Sequence, residues 1–209
     1  MRGLLRRRAK GSFRDMTLLR AVGLAVVVAA AGCASSPVAG EPTDGTYVGA
    51  VQGSDAWITV VVRGNDAAVY ACGGATSFST VSRWYVGTRA GQAVTVSKDG
   101  WTATATVSGG HAVGKLTPPT GAPLAFDVGR AHANTLDGLY AVTDQGKRTG
   151  VIVRQDPGGS PAVQGAWFGP TLDAVAQVTP ILPVAKSGFD VEFVSGGQTR
   201  RLTVVPFAF

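Results

Sequence analysis

Short segments in which apolar and polar residues alternate dominate the chain after residue 43. The clearest is 101–107, where Trp101 and other small or apolar residues alternate with threonines. The same period of two recurs at 124–128 and 189–193. A period of two with one apolar face predicts half-buried antiparallel strands. No segment shows a sustained helical period.

The segment 57–62 has apolar residues on both faces, which predicts a strand that is buried on both sides. Dipeptides such as Asp99-Gly100, between two alternating runs, predict tight hairpins. Further strands are predicted at 46–51, 67–72, 82–89, 93–97, 111–117, 139–144, 149–155, 162–168, 173–179 and 199–207. Short strands at close spacing predict an all-β fold, an antiparallel up-and-down meander that closes as a barrel or packs as a sandwich.

A faint internal repeat divides this region. Residues 44–47 and 137–140 both read Asp-Gly-x-Tyr, and each is followed by a valine-rich second strand. We therefore expect two related β units, at 43–132 and 133–209. The alternative is that Asp-Gly-x-Tyr is a common way to enter a strand and recurs by chance.

The N-terminal region has a different pattern. An apolar run at 21–31 follows an arginine-rich start and ends in small residues directly before Cys33. This pattern predicts a secretory signal, and the run is too short for a membrane span of about 20 residues. A cysteine directly after Ala-Gly is typical of bacterial lipoproteins, in which its thiol receives a diacylglyceryl group. We predict a lipoprotein signal peptide at 1–32, with Met16 as an alternative start, and lipidation at Cys33. An ordinary secretory signal would leave Cys33 unexplained.

Residues 33–42 are small, polar and proline-bearing, which predicts a flexible tether. The formal net charge of +6 arises in the segment before Cys33, so the predicted mature chain is formally neutral. A neutral chain lacks the basic surface that nucleic acid requires, and we expect no nucleic-acid partner. The expected partners are the membrane, through lipidated Cys33, and an envelope protein or a hydrophobic ligand.

Few residues suggest catalysis or metal binding. Cys72 has no intrachain partner if Cys33 carries lipid, so we expect a buried packing residue, with a reactive thiol as the alternative. His111 and His132 lie at predicted strand ends without metal-ligand spacing. Asp190 and Glu192 share the predicted solvent face of one strand. We expect no catalytic residue, cofactor or metal site.

Aromatic residues are the remaining candidates for ligand binding. They could line a pocket inside a barrel or fill its core. The tryptophans and tyrosines concerned are Trp57, Trp84, Trp101, Trp167, Tyr47, Tyr70, Tyr85 and Tyr140.

The order of several motifs resembles secreted lipoproteins of actinobacteria, of the mycobacterial type. The motifs are Asp-Gly-x-Tyr at 44–47, VYAC at 69–72, RWYVG at 83–87 and the second opening at 137–140. The resemblance implies an all-β mature domain and a cell-envelope location, and it carries no active site. This chain has Gly73 where such proteins often carry an acidic residue after the cysteine.

Together these features predict a lipid-anchored protein on the extracytoplasmic face of the cell membrane. The first functional hypothesis is a non-enzymatic binding or shielding module. The second is a carrier with a lipid or small hydrophobic ligand inside a β-barrel, and the third is a hydrolase with an unrecognised site.

Overall fold

The structure, a computed structural model, describes residues 44–171 and 174–209. Cys33, the predicted signal peptide and the predicted tether lie outside the described residues. The fold is nearly all β, with 62% of the described residues in strands and 2% in helix, and its sheets are antiparallel. The all-β, antiparallel prediction is confirmed.

Eight strands form a closed up-and-down barrel, in which each strand pairs with the next and β8 returns to β1. The strands are β1 (Gly45–Ala50), β2 (Trp57–Arg63), β3 (Asp66–Cys72), β4 (Arg83–Ala90), β5 (Ala93–Lys98), β6 (Trp101–Ser108), β7 (His111–Thr117) and β8 (Leu124–Arg130). One turn of helix, α1 (Phe78–Val81), connects β3 to β4. The predicted Asp99-Gly100 hairpin has both residues at positive φ, as a tight two-residue turn requires.

The second unit is a nearly closed barrel of seven strands in the order β12-β11-β10-β9-β15-β14-β13. The strands that come first and last along the chain in this unit pair with each other, as they do in the first unit. The strands are β9 (Gly138–Asp144), β10 (Lys147–Gln155), β11 (Pro161–Phe168), β12 (Val175–Gln177), β13 (Thr179–Pro180), β14 (Phe189–Ser195) and β15 (Gln198–Pro206).

The second barrel is interrupted at Val178. The sequence predicts a single strand at 173–179, and this prediction is wrong because strand pairing is interrupted at Val178. The N–H of Val178 donates to the carbonyl of Gly165 on β11, whereas β13 pairs with β14 on the other side of the gap. Pro180 in β13 has no N–H to donate, which suits an edge position.

The structure has three apolar clusters. The first fills the barrel with large side chains that include Tyr47, Tyr85 and Phe126. The second fills the interior of the second unit. The third lies between the units and joins the outer faces of β2 and β3 to β10 and β11. Residues 58–62 are therefore buried on both faces, as the sequence predicts, because one face lines the barrel and the other faces the second unit.

The repeated openings occupy equivalent positions in the two units. Tyr47 of β1 lies opposite Val60 of β2, and Tyr140 of β9 lies opposite Val151 of β10. Each tyrosine belongs to the interior core of its own unit. The repeat in the sequence therefore corresponds to the same register in both hairpins.

The aspartates of the repeat also have equivalent contacts. Asp44 accepts a hydrogen bond of 2.8 Å from the N–H of Gly64, just beyond β2. Asp137 accepts one of 2.6 Å from the N–H of Gln155, at the end of β10. In both units the carboxylate holds the end of the second strand against the start of the first. The Asp-Gly-x-Tyr motif thus stabilises the hairpin that begins each unit.

Candidate functional site

The aromatic residues fill cores or join the two units. The interior of the first barrel contains Tyr47, Tyr85 and Trp101, and that of the second unit contains Tyr140 and Trp167. The cluster between the units contains Trp57, Tyr70 and Trp84. Both interiors are therefore occupied by side chains, and the remaining aromatic residues lie where the units meet.

Tyr70 lies at the centre of the contact between the units. Its hydroxyl donates a hydrogen bond of 2.9 Å to the carbonyl oxygen of Gly150, and both groups are buried. Its ring stacks on Trp84 at 4.5 Å between centroids and meets the edge of Phe168 at 6.1 Å. Burial raises the pKa of Tyr70 well above its usual value. The aromatic groups of the two units thus form one continuous stack.

Gly150 is required for this close approach. A Cβ at this position would lie 2.6 Å from Cζ2 of Trp84 and 2.8 Å from Cζ of Tyr70. Real Cβ atoms do not approach other heavy atoms so closely, so only glycine allows β10 to lie directly on the two rings.

An inter-unit groove of about 480 Å³ opens beside this stack. Its walls come from the start of β4 in the first unit and from β10, β11 and the following loop in the second unit. The lining side chains that matter here are Arg83, Trp84, Lys98, Asp99, Arg148 and Phe168. The groove therefore combines an apolar aromatic wall with an excess of positive charge.

Arginine side chains form cation–π contacts at the groove. The guanidinium of Arg148 lies 4.9 Å from the ring centroid of Trp84, and that of Arg83 lies 4.7 Å from the ring of Trp101. Within residues 44–171 and 174–209, neither arginine has a carboxylate partner. Lys98 differs, because its Nζ lies 3.6 Å from Oδ1 of Asp99. Nη1 of Arg83 donates a hydrogen bond to the carbonyl oxygen of Thr80, which is a neutral partner, so the described residues neutralise neither guanidinium charge.

Three consecutive residues at the start of β4 carry buried polar atoms without a hydrogen-bond partner in the described part of the chain. They are Nε of Arg83, Nε1 of Trp84 and the hydroxyl of Tyr85. Burial raises the pKa of Tyr85 to about 12. All three atoms are enclosed by the protein, and Tyr85 belongs to the interior core of the barrel, so they do not form the surface of the groove.

A second depression, of about 710 Å³, lies at the neighbouring end of the barrel and shares Arg83 with the groove. Its rim includes the loop between β3 and β4, which Asp55 holds. Oδ2 of Asp55 accepts bonds of 2.7 Å from the N–H and from the hydroxyl of Thr76, and Oδ1 accepts one from Ser77. The bond from Ser77 and those from Thr76 hold the pKa of Asp55 well below its usual value. The loop is therefore fixed by a charged residue.

The same loop explains the departure at Gly73. A Cβ at this position would collide with the backbone of Ser77. No side chain fits there, and an acidic residue therefore could not occupy the position with this loop conformation.

Cys72 is fully buried, as predicted, and burial raises the pKa of its thiol to about 11. It faces the second unit, in the cluster that contains Tyr70. The thiol lies 3.7 Å from the carbonyl oxygen of Gly73 and 4.0 Å from the hydroxyl of Ser82. A packing role fits this environment, because the thiolate form is disfavoured.

The other sequence candidates are dispersed. His111 contacts Oδ1 of Asp127 at 2.7 Å on an exposed surface of β7 and β8. His132 lies in the connection between the units, where its carbonyl accepts bonds from Thr135. The described residues contain no group of three histidine, cysteine or acidic side chains that could hold a metal.

Asp190 and Glu192 lie on the outer face of β14, opposite the buried phenylalanines and valine, as the alternation predicts. Oδ2 of Asp190 pairs with Arg201 at 2.9 Å. The two carboxylates therefore belong to a solvated strand face.

Across the described ranges, no helix is long and apolar enough to cross a membrane.

Sequence reasoning missed the inter-unit groove. Arg83 and Arg148 belong to different units and line one groove only because β4 and β10 pack together at Trp84. The sequence gives only a weak signal for this groove. An arginine precedes an aromatic residue at the start of β4, and another arginine lies near the start of β10, next to its hairpin turn.

Comparison with known proteins gives no relative: no family model, curated protein or solved structure matches the chain. The chemistry of the groove is therefore defined by its own side chains. These offer two guanidinium groups, an indole and a phenyl ring in one concave surface.

Proposed function

We propose that the protein is a membrane-anchored cell-envelope lipoprotein whose double-barrel domain is a non-enzymatic binding module on the extracytoplasmic face. The signal-like segment before Cys33 supports the anchor and the location. The resemblance to actinobacterial lipoproteins supports the same assignment. The single observation that carries the binding role is the inter-unit groove, in which Arg83, Lys98 and Arg148 lie beside the rings of Trp84 and Phe168.

The anchor suits a binding role close to the membrane. Two acyl chains give stable attachment, since each buried CH₂ contributes about 0.8 kcal/mol. The tether at 33–42, at about 3.3–3.6 Å per extended residue, reaches roughly 30 Å from the membrane. The groove would therefore sample ligands near the membrane surface.

The carrier alternative finds less support. An interior carrier needs space inside the barrel, whereas Tyr47, Tyr85 and Phe126 are fully buried in that interior. Space for a ligand there would require these side chains to be displaced or truncated, and truncation of a large buried side chain costs about 3–5 kcal/mol. A surface groove needs no such space.

The hydrolase alternative also finds less support. A triad requires a nucleophile that hydrogen bonds the base, and His111 is the histidine with a carboxylate partner. No hydroxyl or thiol in the described ranges hydrogen bonds its imidazole. The pair lies on an exposed strand surface, away from the two depressions described above.

The anchor is tested by cell fractionation of Cys33→Ala, with Cys72→Ala as the matched control. We expect Cys33→Ala to leave the membrane fraction or to accumulate unprocessed, because the acylated thiol is absent. Cys72→Ala should fractionate with membranes like the wild type. A Cys33→Ala protein that remains in membranes and migrates like the wild type would overturn the proposal.

A further inference from the structure

We propose that the inter-unit groove binds a phosphomonoester attached to an apolar or aromatic group. This inference rests on the proposed function, because it specifies the ligand of the same binding module. It follows from the charge of the groove and its apolar wall.

The charge of the groove favours an oxyanion. Arg83, Lys98 and Arg148 line it, and among the described lining residues Asp99 is the one carboxylate. Asp99 lies beside Lys98, which leaves the two guanidinium groups without a carboxylate in the described ranges. The predicted mature chain is neutral as a whole, so this excess is local. A guanidinium presents a planar fork of donors that matches phosphate and carboxylate oxygens.

Two guanidinium groups favour a doubly charged group over a single carboxylate. A phosphomonoester carries a charge of about −1.5 to −2 at neutral pH and offers three strong acceptor oxygens. The stacking of Arg148 on Trp84 and of Arg83 on Trp101 restricts both side chains before a ligand arrives. Less conformational entropy is then lost on binding.

The aromatic wall favours an apolar substituent next to the phosphate. Trp84 and Phe168 line the groove, and each is only partly buried. A ligand with acceptor oxygens beside an apolar group would cover these rings while its oxygens reach the guanidinium groups.

The test is a calorimetric titration of the full chain, purified in a non-ionic detergent, with phenyl phosphate. We expect saturable binding that weakens as salt is raised, because ion pairs at a partly exposed groove are screened. Inorganic phosphate should bind more weakly than phenyl phosphate, and phenol should bind more weakly still. Absence of saturable binding of phenyl phosphate would overturn the inference.

Variants on one strand assign the binding to the groove. Arg148→Gln should weaken phenyl phosphate binding about tenfold or more, as expected for the loss of a charge-assisted bond. The matched control is Arg154→Gln, because Arg154 also lies on β10 and stacks on a tryptophan, Trp57, at 5.0 Å, but does not line the groove. Equal losses in both variants, or no loss in Arg148→Gln, would contradict the assignment.

A more conservative substitution separates the ligand contact from a folding defect. Arg148→Lys keeps the charge and loses the planar fork, so we expect binding between that of the wild type and that of Arg148→Gln. Thermal unfolding followed by circular dichroism should show that all three variants are folded. A lysine variant that binds as poorly as the glutamine variant would contradict recognition by charge.

The phosphate could belong to a lipid headgroup or to a soluble molecule, and vesicles distinguish these sources. Cys33→Ala protein is mixed with phosphatidylcholine vesicles containing phosphatidic acid, and Arg148-dependent sedimentation indicates a headgroup. Phenyl phosphate binding without such sedimentation indicates a soluble ligand. The Cys33→Ala chain should bind phenyl phosphate like the wild type, so failure of the anchor and failure of the groove give different results.

Discussion

The hydroxyl of Tyr70 in the first barrel donates a hydrogen bond of 2.9 Å to the carbonyl oxygen of Gly150 in the second unit. This bond lies inside an apolar cluster to which both units contribute. The two barrels therefore share a third core, and the groove beside it depends on their correct packing. Substitutions at this contact should affect the stability of the whole domain.

Tyr70→Phe removes the donor of that buried hydrogen bond. We expect the free energy of unfolding to fall by about 1 kcal/mol. Tyr85→Phe is the matched control, because the hydroxyl of Tyr85 is buried without a partner in the described ranges. Its removal should be neutral or stabilising. Urea unfolding of both variants checks the contrast, and equal effects would contradict it.

Gly150→Ala should force the two units apart. Its Cβ would lie within 2.8 Å of both Trp84 and Tyr70, and overpacking of this kind costs about 1–3 kcal/mol. Gly129→Ala, in β8, is the control, because a Cβ there meets no atom within 4 Å. It should be neutral or slightly stabilising, since alanine lowers the entropy of the unfolded chain. The prediction fails if the two substitutions have the same effect on the unfolding midpoint.

Asp55→Asn should loosen the rim loop at the mouth of the barrel. The folded protein holds the pKa of Asp55 below its usual value, so its stabilising contribution is complete above about pH 4. That contribution is lost as the pH falls through the folded pKa. The difference in unfolding midpoint between wild type and Asp55→Asn should therefore be present at pH 7 and shrink in acid.

Asp144→Asn is the control for the acid titration. Asp144 is exposed at a hairpin, and no hydrogen bond or ion pair to it is recorded in the described ranges. This variant should unfold like the wild type across the same pH range. A pH-independent effect of Asp55→Asn would show that the loop does not depend on the carboxylate charge.

Cys72 should resist thiol reagents in the folded protein and react after denaturation. Burial raises the pKa of its thiol from 9.0 to about 11. The neutral thiol therefore contributes fully to the free energy of unfolding below pH 9. This contribution, of roughly 2 kcal/mol, is lost as the pH rises towards 11. Cys72→Ala should lack this loss, although ionisation of tyrosines affects both proteins in alkali. Fast labelling of the native thiol would revive a reactive role.

The period of two in the sequence was enough to predict most strands, because apolar and polar residues alternate wherever one face is buried. The segment 57–62 is the informative exception, since its two apolar faces correctly predict two cores. The interruption at Val178 could not be predicted, because it depends on a hydrogen bond to Gly165 on another strand. Local pattern does not encode such a contact.

The candidate site was less predictable than the fold. Arg83 and Arg148 carry no motif, and their proximity to one groove follows from the packing of two units around Gly150. The predicted lipidation signal at Cys33 is the opposite case, because signal peptides are read as linear sequence. A residue within a linear signal can be predicted from the sequence alone. A surface that distant strands form together can be identified only once the fold is known.

We propose that this double-barrel domain is held at the membrane by a lipid on Cys33. The intact mass of the protein purified from membranes, followed by fragmentation of its N-terminal peptide, tests this proposal. We expect a chain that begins at Cys33 and carries a diacylglyceryl group on the sulfur. A chain that retains residues before Cys33, or that begins elsewhere without lipid, would contradict it.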